Sequence, residues 1–186
     1  ARLQGRGVVQ WAARVYLSVF RNTPLLVQLF FWYFGASAFL PEGFLPWLNT
    51  PRQIEVAGLA LRWPSFEFIA GFFGLTLFTA AFIAEEFRAG VQGVGAGQRA
   101  AAAALGLTPL QAWRHVILPQ ALHNAFSPLV GQYMNAVKNS SLTMAIGLAE
   151  LSYASRQVET QTFKTFQAFG IATLLYLLLI AAMEAA

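Results

Sequence analysis

Apolar and polar positions along the chain sort into long uncharged runs and shorter amphipathic ones. Residues 11–22, WAARVYLSVFRN, are amphipathic and basic, which predicts a helix lying along a membrane surface. Residues 24–40, PLLVQLFFWYFGASAFL, carry no charge; Thr23 suits the N-cap and Pro24 the first turn. Residues 66–84, FEFIAGFFGLTLFTAAFIA, hold one charge, Glu67, at their very end. Residues 166–183, FQAFGIATLLYLLLIAAM, are the cleanest apolar run. Each comes close to the roughly 20 apolar residues that a spanning helix needs.

A fourth window, residues 122–151, is long enough but differs in kind. Asn124, Gln132, Asn135, Lys138, Asn139, Ser140 and Ser141 fall inside it and Pro128 interrupts it. Such a helix cannot face lipid, because unpaired polar groups in hydrocarbon are costly. It suits a wall between helices or along a water-filled path. Residues 41–65, with their prolines and tryptophans, predict an interfacial loop or short surface helices. One membrane domain, residues 1–186, is expected, without internal repeats.

The alanine-rich stretch RAAAAALGLTPLQAWRHVILPQA, residues 99–121, predicts two short helices joined by a turn. Alanine is the best helix former, and Gly106 stands where a left-handed residue stops the first helix. Thr108 is the N-cap of the second, Pro109 fits its first position, and Gln111 completes a capping box. Leu110, Trp113, Val116 and Ile117 share a face, and Pro119 ends the helix. An alanine face lacks bulk, so another surface can approach its backbone closely. A DNA-binding helix-turn-helix is the rival reading. Arg114 and His115 are too few cations for phosphate contacts, and membrane spans flank the stretch.

Composition agrees with a membrane protein. Of 186 residues 57% are hydrophobic and 11% charged, with 17 phenylalanines and no aspartate; a soluble domain carries about a quarter charged residues. Arg2, Arg6, Arg14, Arg21, Arg88, Arg99 and Arg114 fall on one side of the predicted spans. Arg52, Arg62, Arg156 and Lys164 fall on the other, so the first side is cytoplasmic. No cysteine is present, which excludes disulfides and thiolate chemistry. His115 and His123 are eight residues apart with Pro119 between them, so no metal site is expected. GVGAGQRA, residues 93–100, lacks the lysine of a phosphate loop and reads as a turn.

At this point the sequence resembles a known family. Residues 85–119 are similar to the cytoplasmic EAA loop of ABC importer permeases. Ala101 and Ala102 match its alanines, Gly106 its glycine, and Ile117-Leu118-Pro119 its end, with one residue fewer; its glutamate falls at Ala100. RNTPLLVQLFFWYFG, residues 21–35, and EFRAGVQGVGAGQ, residues 86–98, resemble the amino-acid importers of this class. KNSSLTMAIGLAEL, residues 138–151, is similar to the glutamate/aspartate permeases.

The resemblance implies an all-α integral membrane fold, the transmembrane domain of a type I ABC importer. Four spans are visible. The chain opens on Ala rather than Met, and a fifth span is expected before residue 1. The implied setting is the bacterial inner (cytoplasmic) membrane. Two ATPase subunits bind ATP and Mg, so no cofactor is expected on this chain. A second permease subunit, identical or related, and an external amino-acid-binding protein complete the implied assembly, among membrane lipid and without nucleic acid.

Residues 85–121 would be the coupling loop, with Ala101, Ala102, Leu105, Gly106, Ile117, Leu118 and Pro119 against the ATPase. Gln132, Asn135, Lys138, Asn139, Ser140 and Ser141 would line the substrate path, with Gln28, Gln132 and Tyr133 able either to line it or to bridge helices. Lys138 reads two ways: as the attractor of an anionic amino acid, or as a lysine near a helix end bonded to carbonyls. Few intramembrane carboxylates suit an acidic substrate better than a cationic one. Glu85, Glu86 and Arg88 are expected to form ion pairs that steady the loop. Glutamate or aspartate is the favoured substrate and another polar amino acid the alternative. A membrane enzyme is the less favoured class, for want of converging acid, base or metal groups. A stand-alone channel would have no use for the helix pair.

Overall fold

The structure, a computed structural model, describes residues 7–50, 52–56 and 59–185. The chain is built almost entirely of helices, in the order α1 (Gly7–Asn22), α2 (Leu25–Phe30), α3 (Phe44–Asn49), α4 (Phe66–Gln92), α5 (Ala96–Ala104), α6 (Pro109–Ala112), α7 (Leu118–Ser140), α8 (Leu151–Thr162) and α9 (Thr165–Glu184). Two π turns, Phe31–Gly35 and Trp113–Ile117, and a 3-10 turn, Ser141–Ile146, join or extend these helices. Between α3 and α4 the strands β1 (Gln53–Val56) and β2 (Leu59–Arg62) pair antiparallel, Gln53 opposite Arg62. The proline-rich insert thus holds a short helix, as expected, and a hairpin that its hydrophobic pattern does not announce.

Among the described residues, α4 and α9 are long and apolar enough to cross a membrane. They correspond to the second and third sequence windows. The first window folds as α2 and its π turn, about 17 Å at 1.5 Å per residue and so shorter than the bilayer core. Its start differs from expectation too. Pro24, not Thr23, occupies the N-cap position, and no side chain caps it. The elbow is instead closed from inside, where the buried Gln28 donates Nε2 to the carbonyls of Phe20 (2.9 Å) and Thr23 (3.0 Å). Gln28 therefore bridges α1 and α2.

Neither proline expected to stop a helix does so. Pro128 lies inside α7, which runs 23 residues without a break. Pro119 lies in a helical run that passes unbroken from α6 through a π turn into α7, so the π turn, not a free helix end, accommodates its missing N–H. The preceding residues widen into the π turn, so that Leu118 N–H bonds back to Trp113 O. What ends α7 is a set of hydroxyls. Ser140, Ser141 and Thr143 each donate to the carbonyl three residues back, at 2.7, 2.7 and 2.6 Å. Those bonds draw the backbone into the tighter 3-10 turn, which stops at Gly147 with φ 84°.

By contact the chain divides into two compact units, residues up to 17 with 79–135, and 18–78 with 136 onward. In the first, Val94, Ile117 and Ala121 form a small core with Val91 against it. Gly90 is indispensable there: a Cβ would lie 2.5 Å from Ala121 O and 2.9 Å from Ala125 Cβ. The helices α4 and α7 touch backbone to backbone at that point. In the second unit Leu25, Leu29, Ala70 and Ile146 make the core, with Trp32, Tyr33, Leu75 and Phe78 packed on it.

Candidate functional site

The first candidate site is the helix pair α5–α6 of the first unit. Its turn is closed by backbone bonds alone. Leu107 N–H bonds Ala102 O at 3.1 Å and Gly106 N–H bonds Ala103 O at 3.0 Å. With Gly106 at φ 73°, this is a Schellman cap. One residue on, Thr108 and Gln111 form the expected capping box: Gln111 N–H donates to Thr108 Oγ1 at 3.3 Å, and Thr108 N–H to Gln111 Oε1 at 2.8 Å. Nearly every orphan donor and acceptor of the two helix ends is thus satisfied within a few residues.

Burial divides this pair sharply. Ala102 is 2% exposed and Ile117 is buried, so these two coupling candidates hold the pair to its own unit. Ala101 and Gly106 are exposed, Leu118 is half-buried and Pro119 exposed. The tip carries bulky apolar side chains: Leu105 is 78% and Leu110 74% exposed, with Trp113 three residues after Leu110 and also exposed. The face expected to be small is therefore crested by leucine. A lone exposed leucine means little, whereas a rigid apolar tip marks a contact surface.

Glu85, Glu86 and Arg88 lie on α4, which continues past the predicted end of its span to Gln92. Glu85 and Arg88 pair at 2.7 Å, one turn apart on the helix surface. Glu86 instead accepts from Gln132 Nε2 at 3.1 Å, a bridge from α4 to α7. Nearby, Asn124 Nδ2 donates to Gly90 O at 3.4 Å. Gln132, expected either to line the path or to bridge helices, makes such a bridge here. Asn135 lies one turn further along α7 and is exposed.

Lys138, Asn139, Ser140 and Ser141 belong to the second unit. Lys138 is exposed and, among the described residues, makes no ion pair; its carbonyl accepts from Ser141. The protons of Ser140 and Ser141 are spent on the backbone, so these hydroxyls do not stand ready as donors to an anion. Two carboxylates that sequence reasoning did not place here belong to the same unit. Glu67 accepts from Tyr33 O–H at 3.3 Å. Glu150 caps α8, accepting from Ser152 N–H (2.8 Å) and Tyr153 N–H (2.7 Å), and takes the Tyr176 hydroxyl at 2.8 Å. Glutamate is not among the favoured N-cap residues, so the sequence carried no ordinary cap signal for Glu150. Among the described residues, no group of three or more His, Cys, Asp or Glu could hold a metal ion.

Comparison with known proteins gives a consistent picture. The family model described as binding-protein-dependent transport system inner membrane component matches residues 1–185. A probable glutamine ABC transporter permease protein, GlnM of Bacillus subtilis, is 39% identical over 92% of this chain and 69% of its own. The glutamate/aspartate import permease protein GltJ of Escherichia coli is 34% identical over 89% of this chain and 63% of its own. The chain thus spans about two thirds of the length of these relatives. A solved structure described as an amino acid ABC transporter with histidines superposes on 100% of this chain and 75% of its own. Its TM-score is 0.79, at 29% identity.

Proposed function

The chain belongs to the binding-protein-dependent transport system inner membrane components, among the amino-acid ABC permeases, and from that premise we propose how it works. Residues 1–186 act as one permease domain in the bacterial inner membrane, part of an ATP-driven importer for polar amino acids. Residues 85–121 couple it to two ATPase subunits that bind ATP and Mg. A second permease subunit and an external amino-acid-binding protein complete the assembly. The relatives are transport components, and this chain's part in the cycle is movement rather than bond chemistry.

The observation that carries the coupling role is the stiff α5–α6 turn with Leu105 and Leu110 bare at its tip. ATP-driven closure of a partner can pull on such an element without bending it. The test is copurification with the cognate ATPase subunit. Leu105→Glu with Leu110→Glu places carboxylates in the contact and should cut retention at least about tenfold, some 1.4 kcal/mol. Undiminished retention would remove the docking role.

Glutamate and aspartate are the substrates favoured by Lys138, an exposed cation without an ion pair among the described residues. The carboxylates that could hold a cationic cargo, Glu67 and Glu150, are already engaged by Tyr33 and Tyr176. Glutamine is the second reading, favoured by the name of the Bacillus subtilis relative. Uptake of labelled glutamate and glutamine by Lys138→Ala separates them. An anion site predicts a loss of about tenfold for glutamate alone. Equal effects on both amino acids would retire it.

A further inference from the structure

The insert between α2 and α4 is a compact aromatic cluster built on one end of an apolar helix. Asn49, at the end of α3, accepts the N–H of Phe66, the first residue of α4, at 2.8 Å. Trp63 N–H bonds Arg52 O at 2.9 Å and closes the hairpin base. Phe44 lies tilted against Trp47 at 5.7 Å, and Trp47 meets Trp63 edge-on at 6.0 Å. Arg52 lies over the Trp47 ring at 4.6 Å and donates to Trp47 O at 3.2 Å. Even so, Trp47 is 47% exposed and Phe44 is exposed as well. Within the first two turns of α4, Phe68 and Phe72 are also exposed.

We propose that this insert is a membrane-interface foot: Phe44 and Trp47 enter the headgroup region of the leaflet at the Phe66 end of α4, and Arg52 meets lipid phosphate there. Three observations select lipid over a soluble protein. The cluster is fastened within one hydrogen bond of the first residue of an apolar helix, the level where amphipathic aromatic rings settle. Its exposed groups are aromatic faces, which that zone prefers. Its guanidinium lies over an indole with one nitrogen donating to Trp47 O, which leaves its remaining N–H groups to meet an anion. The foot would fix the depth of α4.

The proposal rests on α4 as a membrane span, and the experiment separates the two. The chain lacks cysteine, so single-cysteine spin labels can be placed at Phe44→Cys, Phe72→Cys and Gln98→Cys in vesicles of phosphatidylethanolamine and phosphatidylglycerol. The Phe44 label is expected to collide with oxygen several-fold more, and with a soluble nickel chelate several-fold less, than the label at Gln98. A nickel-chelating lipid should relax it strongly. The Phe72 label reports the span alone. Deep burial at 72 with a Phe44 label as wet as that at Gln98 overturns the foot and leaves the span standing. Wet labels at both positions overturn both. Arg52→Glu should shift the Phe44 label toward water, and an unchanged signal would overturn the phosphate contact.

Discussion

The helix pair α5–α6 and the segment from Lys138 to Glu150 are the two regions where the helical framework turns, and they are fixed by opposite means. In α5–α6 each end closes on itself: the Schellman bonds come from Ala102 and Ala103, the capping box from Thr108 and Gln111. In the second segment the closing groups come partly from afar. Glu150 is held by Tyr176, 26 residues on, and a Cβ on Gly71 of α4 would sit 3.3 Å from the buried Thr143. A self-closed turn keeps its shape whatever surrounds it. A turn closed by distant side chains keeps its shape only while those helices stay put, and it yields when they move. The first suits a lever, the second a wall that reshapes during transport.

Substitutions can break that contrast. The largest effect is expected at the seam on which the lever stands. Gly90→Val puts methyl groups into Ala121 O and Ala125 Cβ, with backbone on the far side and no room to yield. A loss on the order of 3 kcal/mol is expected, read as a lowered unfolding midpoint in detergent. Gly131→Val, which meets nothing within 4 Å, is the control. If the two variants matched, the close approach of α4 and α7 would not be what supports the pair.

Next comes the wall. Glu150→Ala removes a cap on two backbone N–H groups and the acceptor of the Tyr176 hydroxyl, which is left with a 3.5 Å bond from Ser152 Oγ. A cost of about 2 kcal/mol follows, half of it shared with Tyr176→Phe. A double-mutant cycle showing strict additivity would mean that α8 and α9 are not coupled through this carboxylate.

What could be seen in the sequence follows the same division. Gly106, Thr108, Pro109 and Gln111 announce α5–α6 because each acts on neighbours within four residues. The apolar runs announce α4 and α9 because composition alone makes them. The end of α7 was hidden, since three hydroxyls in step had to be counted against the pull of Pro128. Gln132 was left open between two roles for a related reason. A polar residue on a membrane helix points equally to a path or to a bridge, and only the position of Glu86, 46 residues away, decides between them. The hairpin β1–β2 escaped because short strands amid proline carry little pattern.

The third substitution acts on the lever itself. Gly106→Val forces a β-branched residue to φ 73° in open space, costing about 1–2 kcal/mol with no clash. Membrane insertion should survive, while uptake falls relative to ATP hydrolysis as the tip changes direction. Uptake that tracked hydrolysis unchanged would deny the turn its mechanical role.

The smallest effect runs the other way and sharpens the comparison. α8 ends on Phe163, which adopts φ 56°, the one positive-φ residue other than glycine among the described residues. It is also 88% exposed, so its ring contributes little packing to offset the left-handed strain. Phe163→Gly gives this end the residue that α5 already has at Gly106. A gain of about 1 kcal/mol is expected, seen as a raised unfolding midpoint. Loss of stability instead would mean that the ring is held by something other than this chain's own packing, lipid or a neighbouring subunit. In that case the strain at Phe163 would be sustained from outside the turn, as the Lys138–Glu150 segment is, rather than by the turn itself, as in α5–α6.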